Sequence, residues 1–291
     1  MGNHLLILER QFLASVTPAD EEDGAGFVTM ATTQQKNDAL KLIETFGNKS
    51  SDYGWFASIQ RSKVTAGLKE RVNDPSKINT SSVNLCGPAA LVYAVARDTP
   101  EKYVKFTTEL FETGSAKLGK IDVKPSKSLK LAKLEEAKVN AADWVALASL
   151  RDSENFILDF SSAKDGASGI TLPGKLNDWF KAAGYSKVLN ETNLVFTKNE
   201  THARRASQLY TDGYKVALFI NADMLQSKSQ DSVSTIPNHW IMLSSSLTIS
   251  ASSVSFNCFT WGNGSRKVPQ TGTLSLSSFL KHYYGFVAAK P

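Results

Sequence analysis

The spacing of apolar residues separates a mostly helical first part of the chain from a last third with the alternation of strands. In TTQQKNDALKLIETFG (32–47), Leu40, Ile43 and Phe46 fall on one helical face, and Gly47 ends the pattern. The same helical spacing predicts further helices over residues 86–98, 99–111, 139–150, 172–184 and 200–213. Helices of this length are ordinary for a globular protein.

The last third reads as an antiparallel sheet. A buried strand is predicted over 214–222, a hairpin of long strands over 239–249 and 253–261, a short helix over 275–285, and a closing strand over 285–290. Helices followed by such a sheet predict an α+β fold. The polar stretch NDPSKINTSS (73–82) predicts a boundary between an N-terminal helical segment, 1–75, and a main domain, 76–291.

Chain length, cysteine content and the length of the apolar runs exclude several classes of protein. A chain of 291 residues buries a core large enough to need no disulfide or metal staple. Cys86 and Cys258 are far apart and lack the spacing of a zinc site, so we expect a reducing compartment, no metal and no cofactor. Because no run approaches about 20 apolar residues, we expect no membrane partner.

The net charge of +5 is carried in part by a lysine-rich run, KPSKSLKLAKLEEAK (124–138). No aromatic residue lies within that run to stack on bases, so a solvated face explains it better than nucleic-acid binding. The start, MGNHLLILERQFLASV, lacks the basic region of a signal peptide, and Glu9 and Arg10 interrupt its apolar patch. A cytoplasmic location in the producing cell is therefore expected.

Cys86 is the predicted nucleophile. It opens the helix CGPAALVYAVARD (86–98), where free N–H groups and the helix dipole favour a thiolate. Gly87 is expected to leave room above the sulfur for a carbonyl, and Pro88 suits a first helical turn. The backbone N–H of Cys86 is also suited to hold an oxyanion. The alternative is that Cys86 is a small core residue.

His239 is the predicted base among four histidines, His4, His202, His239 and His282. It begins an apolar strand after a polar, serine-rich loop (226–238), where a side chain is rigid yet near a cleft. The alternative is a half-buried histidine at a strand end.

The segment NLCGPAALVYAVA (84–96) resembles the active-site segment of papain-like and bacteriocin-processing cysteine peptidases. In those enzymes Cys-Gly-Pro-Ala-Ala opens the central helix, and a histidine at the head of a hairpin and an Asn or Asp on the next strand follow. The resemblance implies a papain-like cysteine peptidase fold, in which a helical half carrying the nucleophile packs on an antiparallel sheet carrying the base.

By that resemblance, the third catalytic group lies on the strand after the histidine, and Asn257 is the residue predicted for it. The run TWG (260–262) is similar to the Asn-Ser-Trp-Gly of these enzymes, but Phe259 stands where their Asn is found. Asn263 therefore remains an alternative, as does a solvent-facing role for Asn257. Trp261 is expected to shield the imidazole or to belong to the core.

These families place a Gln six positions before the cysteine, as an oxyanion donor. Thr80 stands at that position here. Asn84, with a side-chain amide two positions before Cys86, is the predicted donor, and Asn79 is the alternative.

The resemblance implies hydrolysis of peptide bonds in a protein substrate. Cysteine hydrolases with this segment resemble interbacterial toxin effectors of type VI secretion or contact-dependent systems. That likeness implies delivery into a target cell without a signal peptide, and a cognate immunity protein as partner. The same residues also suit a glutamine deamidase, a transglutaminase or a peptidoglycan amidase, and a catalytically dead papain-like binding protein is the non-enzymatic alternative.

Overall fold

The computed structural model of the chain describes residues 30–81, 84–134, 138–154, 170–225, 236–262 and 264–291. The start of the predicted leading segment (1–29) and Asn263 lie outside these ranges, as does most of the loop before His239.

The helices lie mainly in the first two thirds of the chain, as the apolar spacing predicts. They are α1 (Thr33–Gly47), α2 (Arg61–Asn73), α3 (Cys86–Asp98), α4 (Pro100–Thr113), α5 (Lys127–Leu131), α6 (Ala141–Asp143, π-helical over Trp144–Ala148, then Ser149–Glu154), α7 (Pro173–Ala183), α8 (Glu200–Thr211) and α9 (Leu276–His282). Local signals set several ends: Thr32 and Gln35 form a capping box at α1, and Gly114 ends α4 in the left-handed region.

The strands are short, and most lie in the last third. They are β1 (Ala116–Leu118), β2 (Ile121–Val123), β3 (Ser186–Asn190), β4 (Lys215–Ile220), β5 (His239–Leu243), β6 (Thr248–Ile249), β7 (Ser253–Phe259), β8 (Ser265–Val268), β9 (Leu274–Ser275) and β10 (Tyr283–Lys290). The hairpin β1–β2 and the edge strand β3 were not predicted from the sequence.

The main sheet is antiparallel, with the order β3-β10-β4-β5-β7-β6, and β8 and β9 also pair with β7. The predicted α+β class is confirmed. The predicted long hairpin is interrupted, because β5 ends at Leu243 and pairs with β7 only at Met242↔Phe259 and Leu243↔Cys258.

Side chains alternate between the two faces of this sheet, and each face has its own core. We call one side the nucleophile face, because Phe219, Trp240, Met242 and Phe259 share a core there with Cys86. On the opposite face, the second core contains Leu218, Ile241, Leu243 and Cys258. The helix α3 packs on the nucleophile face, and α8 and α9 cover the opposite one.

The helix α3 is central, since every residue from Cys86 to Ala96 is buried. Tyr93 stacks on Phe259 of β7 with ring centroids 4.1 Å apart. At the other end of the helix, Asp98 accepts a hydrogen bond from Tyr185 (2.9 Å) and pairs with Lys215 of β4 (2.7 Å). The pair with Lys215 joins this end of α3 to the sheet.

A second buried ion pair holds the loop that leads into α3. The guanidinium of Arg71 in α2 donates from Nε and Nη2 to the two carboxylate oxygens of Asp143 in α6, each at 2.7 Å. Asp143 Oδ2 also accepts the backbone N–H of Asn79 at 2.9 Å. Bidentate charge-assisted contacts of this kind are strong and directional, so α2 and α6 together position residues 78–81.

The core crosses the predicted boundary at residue 75. Ile43 of α1 and Val64 and Leu68 of α2 belong to the same buried cluster as Cys86. In the described part of the chain, no helix combines the length and the apolar character needed to cross a bilayer.

Deletion of residues 1–75 is expected to abolish cooperative unfolding of the remaining chain. It removes α1 and α2 from the core and leaves Asp143 without the guanidinium of Arg71, and an unpaired buried charge costs about 3–5 kcal/mol. Urea unfolding followed by circular dichroism measures this.

The control is the full chain under the same conditions, which should show one cooperative transition. A cooperative transition for 76–291 would show that the domain boundary predicted from the sequence separates two folding units.

Candidate functional site

Cys86 is the first residue of α3, and it is 9% exposed. No side chain caps this helix end, so its N–H groups remain available beside the sulfur. The next residue, Gly87, is required for a steric reason that differs from the one predicted from the sequence. A Cβ at Gly87 would overlap the side chain of Thr171, so the space next to the nucleophile is filled by Thr171 rather than open.

Opposing effects act on the pKa of the Cys86 thiol. Burial raises its pKa, whereas backbone hydrogen bonds from Trp240 and Gly87 and the positive charge of Arg151 lower it. The effect of burial is the largest, so the neutral thiol is the resting form at pH 7.

Thr171 packs against Gly87, next to the cysteine, and the charge of Arg151 acts on the thiol, although neither residue was predicted from the sequence. Thr171 is buried, its carbonyl accepts the indole N–H of Trp240 (2.8 Å), and its hydroxyl accepts a hydrogen bond from Arg151 Nη1 (3.4 Å). Arg151, in α6, is only 7% exposed. One feature of the sequence could have identified Arg151. It directly follows the apolar run WVALASL, and a charged residue there indicates a cation in the interior.

His239 is the first residue of β5 and is 6% exposed. Its Nε2 is 2.7 Å from the hydroxyl oxygen of Thr260. Its ring stacks on Trp261, with centroids 5.0 Å apart. Trp261 has a φ of +50°, an uncommon conformation for a residue other than glycine, and this turn aims the indole at the imidazole.

Burial and the nearby charge of Arg266 lower the pKa of His239 to about 4. The guanidinium of Arg266 lies over the ring of Trp261, 5.2 Å from its centroid, and donates to the carbonyl of Leu225. The imidazole is therefore neutral at pH 7.

The structure brings Cys86 and His239 to the same end of β5 but to different sides of the sheet. The sulfur lies beside the backbone of Trp240, the residue after His239. Because Trp240 points to the nucleophile face, alternation directs His239 to the opposite face, with Ile241. Within the described residues, no hydrogen bond joins His239 to Cys86, so the predicted Cys–His pair is not assembled in this conformation.

The imidazole contact predicted for Asn257 is made by Thr260 instead. Asn257 is exposed on β7 and shares its face with Phe259, whereas His239 lies on the other face. The backbone of Asn257 bonds to Ser244 and Ser245. Thr260 is the first residue of the TWG run that was noted in the sequence. Only the structure shows that its hydroxyl lies within hydrogen-bond distance of the histidine.

The two candidate oxyanion donors, Asn84 and Asn79, differ in their surroundings. Asn84 is half-buried, two positions before Cys86, and its predicted role stays a prediction. Asn79 Oδ1 accepts the N–H of Ser81 at 2.7 Å, which commits that oxygen to a turn. A Cβ at Gly262 would overlap Asn79, so the turn that carries Trp261 packs against the loop leading to Cys86.

No group of three or more His, Cys, Asp or Glu side chains among the described residues is arranged to hold a metal ion. Comparison of the chain with protein-family models, with curated proteins and with solved structures found no match.

The neutral state of His239 predicts a pH-dependent stability. An unfolded histidine binds a proton near pH 6.5, whereas folded His239 does so only near pH 4. Stability is therefore complete above pH 6.5 and falls as the pH drops towards 4, by about 2 kcal/mol between pH 7 and pH 5.

Urea unfolding of the wild type and of His239→Asn at both pH values isolates this contribution. The wild type should lose about 2 kcal/mol more than the variant, because Asn does not titrate. An equal loss in both proteins would contradict a buried, neutral His239.

Proposed function

We propose that the chain is a cysteine hydrolase with a papain-like arrangement, in which Cys86 is the nucleophile and His239 the base. One observation carries the proposal: Cys86 opens a central helix that is buried from Cys86 to Ala96, with its sulfur beside the backbone of the residue that follows His239. Two groups far apart in the sequence thus lie at one end of β5, on opposite faces of the sheet. The N–H groups at the start of α3, which no side chain caps, supply the electrostatic part of such a site.

The reaction we propose is hydrolysis of a peptide bond. His239 takes the proton from Cys86, the thiolate attacks the carbonyl carbon, and the Cys86 backbone N–H and Asn84 hold the oxyanion. The protonated imidazole then gives its proton to the leaving amine as the C–N bond breaks. Water, deprotonated by His239, releases the acid from the thioester and restores the thiol.

This cycle requires the imidazole to exchange its contact with Thr260 for one with Cys86. His239 is the first residue of its strand, and the last pairing of β5 with β4 is Ile220↔His239. A rearrangement there disturbs few ladder hydrogen bonds. In the cycle, Thr260 is a positioning residue that holds the imidazole in its resting place.

The proposed substrate is a protein, and the proposed setting is that of an antibacterial toxin effector delivered by a type VI or contact-dependent route. This part of the proposal rests on the resemblance of residues 84–96 alone. It includes a cognate immunity protein as partner and a cytoplasmic stage in the producing cell. A deamidase, transglutaminase or peptidoglycan amidase would use the same acyl-enzyme chemistry with another amide or acceptor.

A second candidate is a catalytically dead papain-like protein that binds a partner. The observation that favours it is the resting geometry: His239 faces away from Cys86, burial raises the pKa of Cys86, and the pKa of His239 is lowered to about 4. Two neutral groups on different faces of the sheet do not form an ion pair.

Substitution of the two proposed catalytic residues distinguishes these functions. Cys86→Ala and His239→Ala should each lower turnover by at least about a thousandfold, and the double variant should lose little more, because both act in one step. Asn257→Ala is the matched control and should keep its activity, since Asn257 is exposed on the face away from His239.

The measurement is proteomics of newly formed protein N-termini and of deamidated or cross-linked glutamines, in cells expressing each variant at equal folded level. New N-termini that depend on Cys86 support the peptidase, and modified glutamines support the deamidase or transglutaminase. Identical proteomes for the wild type and Cys86→Ala would overturn the enzymatic proposal and leave the binding protein.

A further inference from the structure

A buried positive charge lies beside the proposed nucleophile, and it is not that of a histidine. Among the charges that lower the pKa of the Cys86 thiol, that of Arg151 has the largest effect. Arg151 is 7% exposed, so its guanidinium has been taken largely out of water.

A chain of contacts connects Arg151 to Gly87, the residue after the nucleophile. Nη1 donates to the hydroxyl of Thr171 at 3.4 Å. The side chain of Thr171 packs directly against Gly87, the residue after the cysteine. The carbonyl of Thr171 is held in turn by the indole N–H of Trp240 at 2.8 Å.

These contacts place the guanidinium on the nucleophile face of the sheet, where His239 is absent. The imidazole lies on the opposite face with Thr260 and Trp261. In a Cys–His pair the imidazolium supplies the positive charge next to the thiolate. Here Arg151 lies on the side of the sheet on which that charge is needed, and a guanidinium is charged at neutral pH.

We propose that Arg151 is the positioning residue that stabilises the thiolate of Cys86, through the contact chain Arg151–Thr171–Gly87. This inference rests on the proposed function in taking Cys86 as the reacting group. When His239 takes the proton from the thiol, the positive charge of the guanidinium stabilises the negative charge left on the sulfur. The imidazole keeps that proton for the leaving amine and later activates water.

The pH dependence of alkylation by iodoacetamide tests this role without any substrate. The sulfur forms a bond to the methylene carbon and iodide leaves, so the rate follows the thiolate fraction. Mass spectrometry of the two cysteine-containing peptides gives separate rates for Cys86 and Cys258. Arg151→Met should move the Cys86 midpoint up by about one pH unit, which is about a tenfold lower rate below the midpoint. Arg151→Lys, which keeps the charge, should restore most of the rate.

Cys258 serves as an internal control for folding. It is fully buried in β7, and burial raises its pKa to about 12, so it should react slowly in every folded variant. The matched variant is Arg266→Met, which removes a cation from the opposite face and should leave the Cys86 midpoint unchanged.

An unchanged Cys86 midpoint in Arg151→Met, with Cys258 still protected, would overturn the proposal. A reactive Cys258 in that variant would indicate a loss of folding, and Thr171→Val then provides the test of the proposal. This substitution removes the hydroxyl that accepts from the guanidinium and keeps the bulk against Gly87. Its midpoint should also rise, and no rise would overturn the proposal. Loss of turnover in Cys86→Ala is measured independently, so failure of the proposed function remains distinguishable from failure of this inference.

Discussion

The packing of α3 on the nucleophile face of the sheet is the contact on which the rest of the structure depends. Its apolar residues contact β5, and Tyr93 stacks on Phe259 of β7. Because protein interiors are close-packed, a helix buried on all sides has little freedom to shift. Cys86 therefore has a fixed position, with the start of the helix directed at the backbone of Trp240.

Buried charges hold the elements around this helix. The pair Asp98–Lys215 joins the end of α3 to β4, and Arg71–Asp143 joins α2 to α6 and to the loop before Cys86. Buried ion pairs add little net stability, but breaking one leaves an uncompensated charge, so they specify which elements meet. Arg151 is a further buried cation, and the role we propose for it is at the thiol itself.

The alternation of side chains along β5 determines the resting geometry of the site. Trp240 and His239 are neighbours in sequence, and so they point to different faces. The thiol consequently lies among Thr171 and Arg151, while the imidazole lies among Thr260 and Trp261. The proposed catalysis and the proposed binding role differ in one physical respect, which is whether the start of β5 rearranges to bring the imidazole to the nucleophile face.

Apolar spacing and turn residues were sufficient, from the sequence alone, to predict α1, α3, α4, α7, the α+β class and the positions of Cys86 and His239 at the starts of a helix and a strand. These features depend on neighbours a few residues apart, which the sequence displays directly. The contact of Thr260 with His239, the exposure of Asn257 and the approach of Arg151 to Cys86 were decided only by the tertiary structure. They depend on strand register and helix packing, which bring together residues far apart in the chain, and a shift of one residue in register reverses the face on which a side chain lies.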